Sequence, residues 1–240
     1  ADLVQSPPPS EYSQQLRVFQ ADGSSTLIAQ SRGLDPASPI FRFVSERPAL
    51  NNEGQLAFVG LAKDSTGAEF TTIWLWDGVE LKRVAQSGQE EIREVERLPP
   101  DLSDSGLVVF RAIDTAGLRA VWVSDGQSLK RVVGEHELVP SGLGAARVDE
   151  AQAIAPVFAG VPRINARGDV SLVASLTPPD DDQEEWGTGV YVAQASFPPP
   201  PADAGTDGGT EPPDAGPMPD AGPVDPPDAG GEEPAPVDPT

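Results

Sequence analysis

The feature that most constrains the fold is an internal repeat built from short apolar runs and glycine turns. The segment LNNEGQLAFVG, followed after a loop by TIWLWDGVELKRVAQSG, spans residues 50–88. A degraded copy, LSDSGLVVFRA followed by AVWVSDGQSLKRVVGE, spans residues 102–135. The second half of the unit stands alone at 17–31, and the first half stands alone at 164–193. Such self-similarity is the signature of a repeat architecture, here with half a unit at each end.

Each second half carries a tight-turn signal between two β-prone runs. An Asp-Gly pair stands at 22–23, 77–78 and 125–126. Glycine accepts the positive φ that such a turn demands, so each pair predicts a β-hairpin. A large aromatic residue, Phe19, Trp74 or Trp122, stands four residues before each turn glycine. This placement predicts that the three side chains fill one repeated core position.

Each first half is a turn followed by a strand. Gly54, Gly106 and Gly168 precede the runs QLAFVG, LVVFRA and DVSLVA. These runs are short and rich in β-branched and aromatic residues, which favours strands in sheets that are buried on both faces. The sequence therefore predicts an all-β fold of antiparallel sheets, and turn geometry explains the glycines without a phosphate-binding loop.

The order of these positions reads (L/I)N-x-x-G-x-VAF-x-A, a loop, then G(I/V)(W/Y/F)-x-x-DG-x-L-x-x-VA. Over residues 14–196 it resembles the repeats of bacterial secreted and surface tandem-repeat proteins. The resemblance implies a β-propeller-like fold with one unit per blade. Two units and two halves give about three blades, whereas closed propellers have about 4–8. Three explanations of this shortfall stay open. A further blade is hidden in residues 134–163, the chain is a fragment of a longer array, or it closes as a fold smaller than a propeller. For closure, we expect contact between 17–31 and 164–193.

The two ends of the chain have a different composition from the middle. Residues 198–240 contain ten acidic residues, no basic residue and no aromatic residue, which predicts a disordered spacer. Its repeated Asp-Ala-Gly resembles the spacers of myxobacterial surface proteins, which implies anchoring through this tail. Residues 1–12 predict an extended lead-in, and residues 13–197 predict the folded domain. The start at Ala1 without Met leads us to expect an exported protein, extracellular or on the outer cell surface with the periplasm as an alternative, although a trimmed chain would look the same.

Charge and composition narrow the classes of partner. The net charge of −22 argues against nucleic acid and against anionic membrane surfaces, because both require clustered Lys and Arg. The absence of cysteine excludes disulfides and thiol catalysis. No apolar run approaches 18 residues, so we expect no transmembrane segment. The predicted partner is a protein or another component of the cell surface.

A few residues suggest chemistry, but none forms a specific motif. The sequence predicts no catalytic residue and no cofactor. Asp64 and Asp114 stand in matching loops, and Asp181 stands in an acidic run, which makes them candidate Ca²⁺ ligands without EF-hand spacing. His136 is the only histidine and has no evident nucleophile beside it, so a structural role is favoured.

The four tryptophans could offer a sugar-stacking surface, but Trp74 and Trp122 stand at the repeated core position. Trp76 and Trp186 are less committed, and Trp76 points the same way as Trp74, which favours burial for it as well.

These observations predict a non-enzymatic, exported cell-surface domain, structural or interacting, held on a flexible acidic spacer. The alternative is a Ca²⁺- or glycan-binding module that uses end-face loops. A propeller-type hydrolase is disfavoured, because the inner strands offer only Arg111 and small hydroxyl groups for catalysis.

Overall fold

The computed structural model describes residues 13–44, 47–151 and 156–194 of the chain. Within these ranges the chain forms 17 β-strands and no helix, so the predicted all-β fold is confirmed. Every described residue lies in one compact unit, residues 1–198. The predicted lead-in, 1–12, and the predicted spacer, 198–240, lie outside the described residues.

All strand pairings are antiparallel, and they form one hairpin and three five-stranded sheets. The hairpin contains β1 (Gln15–Phe19) and β2 (Ser25–Gln30). Sheet I contains β3 (Arg42–Phe43), β4 (Ala49–Leu50), β5 (Leu56–Lys63), β6 (Glu69–Trp76) and β7 (Leu81–Gln86). Sheet II contains β8 (Ile92–Val95), β9 (Asp101–Leu102), β10 (Val108–Asp114), β11 (Arg119–Ser124) and β12 (Leu129–Gly134). Sheet III contains β13 (Leu138–Ser141), β14 (Gly144–Val148), β15 (Phe158–Ile164), β16 (Asp169–Thr177) and β17 (Gly187–Gln194).

The three sheets share an order of strands. A long strand, β5, β10 or β16, pairs on one side with two successive segments and on the other side with the next strand of the chain. In sheets I and II a fourth strand, β7 or β12, follows. Sheet III has no counterpart of this strand among the described residues, so β17 is an edge strand.

The glycine turns that precede β5, β10 and β16 have one geometry. Gly54, Gly106 and Gly168 have φ between 75° and 85°, a region that L side chains rarely adopt. In each turn the glycine N–H donates to the carbonyl oxygen three residues earlier, at 3.0–3.3 Å. The prediction that these glycines serve turn geometry is confirmed.

The sheets pack face to face in chain order. Phe58 and Trp74 of sheet I pack against the hairpin, whereas the opposite face of sheet I packs against sheet II. In β10, Phe110 belongs to the core shared with sheet I, and its neighbour Val109 belongs to the core shared with sheet III. Side chains alternate between the two faces of a strand, so continuous apolar runs are the consequence of burial on both faces.

One predicted core position is wrong. Trp74 and Trp122 are 5% and 2% exposed, but Phe19 is 73% exposed. A register shift falls immediately before Trp74, Trp122 and Arg17 in their strands, so Arg17 occupies the equivalent position in β1. Phe19 instead corresponds to Trp76 at the end of its strand. The turn glycine is the fourth residue of the loop 20–24 but the second residue of the loop 77–80. Counting four residues back from the glycine therefore reaches different positions of the two strands, and this is why Phe19 was matched with Trp74.

The two ends of the repeat region pack in different places. Leu16, Val18 and Ala29 of the hairpin pack against sheet I. No strand pairing joins the hairpin to sheet III within the described ranges. The expected meeting of the terminal halves is therefore not made through strand pairing, and the hairpin and sheet III lie at opposite ends of the series of packed sheets.

Candidate functional site

The two predicted loop carboxylates organise their own turns. Asp64 Oδ1 accepts hydrogen bonds from the Thr66 N–H at 2.8 Å, the Thr66 hydroxyl at 2.7 Å and the Ala68 N–H at 3.0 Å. These bonds, that from the Thr66 hydroxyl above all, lower the pKa of Asp64. Asp114 Oδ1 accepts from the Leu118 N–H at 2.9 Å in the equivalent turn. The similar loops that the sequence suggested are therefore turns of the same type.

The third candidate, Asp181, lies in an exposed loop, where its Oδ1 accepts from the Gln183 N–H at 2.8 Å. In the part of the chain that the structure describes, Asp64, Asp114 and Asp181 do not form a cluster of possible metal ligands. Each carboxylate already holds a local turn or loop. The shared Ca²⁺ site that the sequence suggested is thus not assembled from these three residues.

The structure brings together a different set of donors. One ligand atom each from Glu135, His136 and Asp149 lies within 4.8 Å of the others. The first two residues follow β12, and Asp149 follows β14. The backbone holds this approach, because the His136 N–H donates to the Val148 carbonyl at 2.7 Å and the Val148 N–H donates to the Glu137 carbonyl at 2.8 Å. His136 has a φ of 69°, which a non-glycine residue seldom adopts.

Both carboxylates of this cluster have other partners. Asp149 Oδ2 accepts from the Arg147 guanidinium at 2.5 Å and lies 3.5 Å from His136 Nε2. Glu135 Oε2 accepts from the Arg119 N–H at 2.8 Å. One imidazole and two carboxylates suit a transition metal such as zinc better than Ca²⁺, which prefers oxygen ligands. A metal would have to compete with Arg147, so the arrangement is that of an ion-paired junction between β12 and β14.

A groove of about 480 Å³ lies between β17 and the β13–β14 turn. Trp186 and Tyr191 provide its aromatic surface, and Leu143 and Val190 line it with exposed apolar side chains. The Tyr191 hydroxyl donates to the Pro140 carbonyl at 3.2 Å, and burial raises the pKa of Tyr191. The sequence pointed to Trp186 but not to Tyr191, because the groove partners of Tyr191 lie on a separate hairpin.

The other tryptophans lie in or against the core, and Trp186 itself is partly buried against the core of sheets II and III. Trp122 is buried between sheets I and II, and Trp74 is buried with its Nε1 donating to the Thr72 hydroxyl at 2.7 Å. Trp76 is partly buried against the hairpin core, as its position on the same face as Trp74 predicts. Trp186, which lines an open groove, is the tryptophan whose surroundings fit sugar stacking.

Arg111 joins sheets II and III. Its Nε and Nη2 donate to the Glu96 carboxylate at 2.6 and 3.1 Å. Its Nη1 donates to the carbonyls of Phe158 and Gly160 at 2.8 and 2.9 Å. The guanidinium is thus engaged in a buried network between two sheets. Arg111, the inner-strand residue that the sequence offered for a hydrolase, therefore holds two sheets together.

No family model matches the chain, and no curated protein or solved structure matches it either. The resemblance to propeller-like repeat proteins therefore stays a prediction. Among the described residues, no helix has the length and apolar character needed to cross a membrane.

Proposed function

We propose that this chain is a non-enzymatic, exported cell-surface domain that serves a structural or interaction role and is held on a flexible acidic spacer. The observation that carries the proposal is the uncovered outer face of sheet III. In support of a non-catalytic role, Asp64 and Asp114 hold turns, and Arg111 pairs with Glu96 and bonds to a carbonyl of sheet III.

The outer face of sheet III corresponds to a buried face of sheet II. Val190 and Val192 of β17 pair with the residues of β16 that stand five and three positions after Gly168. Val121 and Val123 of β11 pair with the residues of β10 that stand five and three positions after Gly106, so the two pairs of valines occupy equivalent positions. The two valines of β11 are fully buried beneath sheet III, whereas Val190 and Val192 are 78% and 71% exposed. An apolar face that is buried in one sheet and uncovered in the next indicates an interaction surface.

We propose a second copy of this chain as the occupant of this face. The hairpin at the other end also exposes apolar side chains, Phe19 and Leu27, on the side away from sheet I. Sheet-on-sheet packing between copies would continue the mode of packing that already joins the hairpin and sheets I to III. Among the described residues no strand pairs with the second edge of β17, so this edge suits strand addition by another chain.

The interaction is tested by light scattering coupled to size exclusion over a wide range of protein concentration. The wild-type chain is expected to self-associate as concentration rises. Val190→Lys combined with Val192→Lys should leave a monomer, because two ammonium groups on the face oppose burial. Val79→Lys, at an 85% exposed valine in the β6–β7 turn, is the matched control. A wild-type monomer at every concentration, or an equal loss with the control, would overturn the second-copy proposal.

Export is tested separately by fractionation of source cells and protease treatment of intact cells. We expect detection in the surface or secreted fraction and cleavage by external protease. The support is compositional: a Pro-rich, uniformly negative segment stays extended by self-repulsion and spaces a domain from a surface. Retention in the cytosolic fraction would refute the proposal of export.

The second candidate function is glycan binding in the groove beside β17. The observation that favours it is that Trp186 and Tyr191 line the groove together with Ser141 and Thr188, since sugar sites combine aromatic faces with hydroxyl groups. Calorimetric titration with neutral oligosaccharides should give a signal that Trp186→Ala removes and Trp76→Ala retains. Absence of heat in the wild-type titration removes this candidate. A parallel Ca²⁺ titration tests the calcium alternative, with Asp64→Asn as its variant.

A further inference from the structure

The four layers of the described chain, the hairpin and sheets I to III, pack with a fixed polarity. We call the face that a layer turns towards the next layer along the chain its front face, and we call the opposite face its back face. The front face of the hairpin packs on the back face of sheet I. The front face of sheet I packs on the back face of sheet II, and the front face of sheet II packs on the back face of sheet III. Each of these three interfaces therefore joins a front face to a back face.

The polarity follows from the repeat, because equivalent positions lie on the same face in successive sheets. The residue four positions after the turn glycine, Phe58 in sheet I and Phe110 in sheet II, packs in the core behind its sheet. The residue three positions after that glycine, Ala57 or Val109, packs in the core in front of its sheet. Front and back are thus two different surfaces that the sequence repeats from layer to layer.

Two faces, one at each end of the series, have no partner layer in the described part of the chain. On the front face of sheet III, Val190 and Val192 are 78% and 71% exposed, although the equivalent valines of sheet II lie beneath sheet III. On the back face of the hairpin, Phe19 is 73% exposed, although Trp76, which occupies its position in sheet I, packs against the core shared with the hairpin. The two end faces are therefore the two halves of an interface that the chain already forms three times.

The back face of the hairpin combines apolar and polar groups. Leu27 lies opposite Arg17 across the two strands, and both lie on the same face as Phe19. The Arg17 guanidinium donates to Ser25 Oγ and to Gln15 Oε1, each at 3.2 Å, so it lies along this face. Interfaces between molecules that also exist apart have such a mixed composition, with arginine enriched. This face suits a reversible contact between copies better than a permanent core.

We propose that copies of this chain associate front to back, so that the front face of sheet III in one copy packs on the back face of the hairpin in the next. The inference rests on the proposed second copy at sheet III and adds the surface of that copy which occupies it. Such a contact is heterologous, because it joins two different surfaces. Each pair of copies keeps one front face and one back face, so association continues until a ring closes or an open array forms.

Mixing two variants tests this polarity by complementation. Val190→Lys combined with Val192→Lys blocks the front face of sheet III, and Phe19→Lys combined with Leu27→Gln blocks the back face of the hairpin. Light scattering coupled to size exclusion, at a concentration at which the wild-type chain associates, should show each variant alone as a monomer. An equimolar mixture should reach twice the monomer mass and no more, because one intact front face and one intact back face remain in it.

The outcomes separate this inference from the proposal on which it rests. If sheet III packs against sheet III of another copy, the hairpin variant associates by itself and does not restore association of the sheet III variant. That result would overturn the front-to-back contact and leave the second copy in place. A wild-type chain that stays monomeric at every concentration would overturn both proposals.

Cross-linking is a second measurement that leaves the apolar side chains in place. The chain contains no cysteine, so single cysteines can be introduced without background. Ser25→Cys stands opposite Phe19 on the back face, and Thr188→Cys stands two residues before Val190 on the front face. A short bifunctional maleimide should cross-link the mixture of these two variants in higher yield than either variant alone. Val79→Cys, in the β6–β7 turn, is the matched control and should add no cross-link to Ser25→Cys. A yield from Thr188→Cys alone that equals the yield from the mixture would overturn the inference.

Discussion

Replacing Arg111 by Met is expected to lower the free energy of unfolding by about 3–5 kcal/mol, the usual cost of removing one partner of a buried ion pair. Arg111 is 7% exposed, and its Glu96 partner has 19% side-chain exposure. Methionine retains much of the aliphatic stem, so the change removes the charge and the donors more than the packing. The perturbation therefore isolates the polar junction between sheets II and III.

The magnitude follows from what the guanidinium leaves behind. Glu96 would keep Arg119 at 3.8 Å, a longer contact than the 2.6 Å bond it loses. The carbonyls of Phe158 and Gly160 would lose their bonds to Arg111. Each buried acceptor left unsatisfied costs about 1–3 kcal/mol, and a charged acceptor costs more. These losses are not additive, which keeps the expected total near the range for a broken buried pair.

A double-mutant cycle separates the charge from the carbonyl bonds. Glu96→Gln removes the negative charge that Arg111→Met strands, so the two changes together should cost less than the sum of the single changes. We expect a coupling of about 1–3 kcal/mol, as for residues in one hydrogen-bonded network. The remaining cost of the double variant reports the lost bonds to the two carbonyls of β15.

Urea unfolding followed by tryptophan fluorescence and circular dichroism measures these values, because Trp74 and Trp122 are buried in the sheet cores. The melting temperature of Arg111→Met should fall by about 6–20 °C, from about 2–4 °C per kcal/mol for a domain of this size. A cost below about 1 kcal/mol would refute the reasoning, because it would mean that water replaces the guanidinium at no penalty. Additivity in the cycle would refute the assigned pairing.

Two further predictions use other polar contacts. Trp74→Phe should cost about 1 kcal/mol more in urea unfolding than Trp122→Phe. The reason is that Trp74 Nε1 donates to Thr72, whereas Trp122 Nε1 has no partner among the described residues; equal costs would contradict it. Hydrogen bonds from Asn52, first of all from its backbone N–H, lower the pKa of Asp104 in the folded state. This stabilisation is present above the unfolded pKa of about 4 and is lost as pH falls below it, so the urea midpoint should fall less between pH 5 and 2 in Asp104→Ala.

Local signals predicted much of the fold. The all-β class follows from short β-branched runs, and the turns follow from glycines such as Gly54 and Gly106, whose positive φ is a property of one residue. Trp122 was placed in the core correctly because a large aromatic residue in a buried run has one stable location. Phe19 was misplaced because register depends on loop length and on a bulge, and neither is marked by a residue type.

Two groupings of charged residues could not be predicted, because each depends on how separate strands approach one another. They are the cluster of Glu135, His136 and Asp149 and the arginines around the cavity between the sheets. His136 carried a local signal beside Glu135, but Asp149 reaches it only through the pairing of backbone groups after β12 and β14. A cavity lined by residues of all three sheets combines Arg97 with Arg163, and nothing in either local sequence marks the other. The sequence suggested isolated acidic ligands, whereas the structure places arginines from separate sheets around one cavity.

The contrast between Arg111 and Arg97 gives a physical criterion for recognising a structural charge. Arg111 is buried, and its donors meet a carboxylate and two carbonyls, so its charge is satisfied within the chain. Arg97 lines an open cavity, has no described ion-pair partner and shares that cavity with two other arginines. Exposure to a cavity leaves the charge of Arg97 to solvent, whereas the charge of Arg111 is part of the fold. The unfolding cost of Arg111→Met therefore tests the assignment of Arg111 as a structural charge.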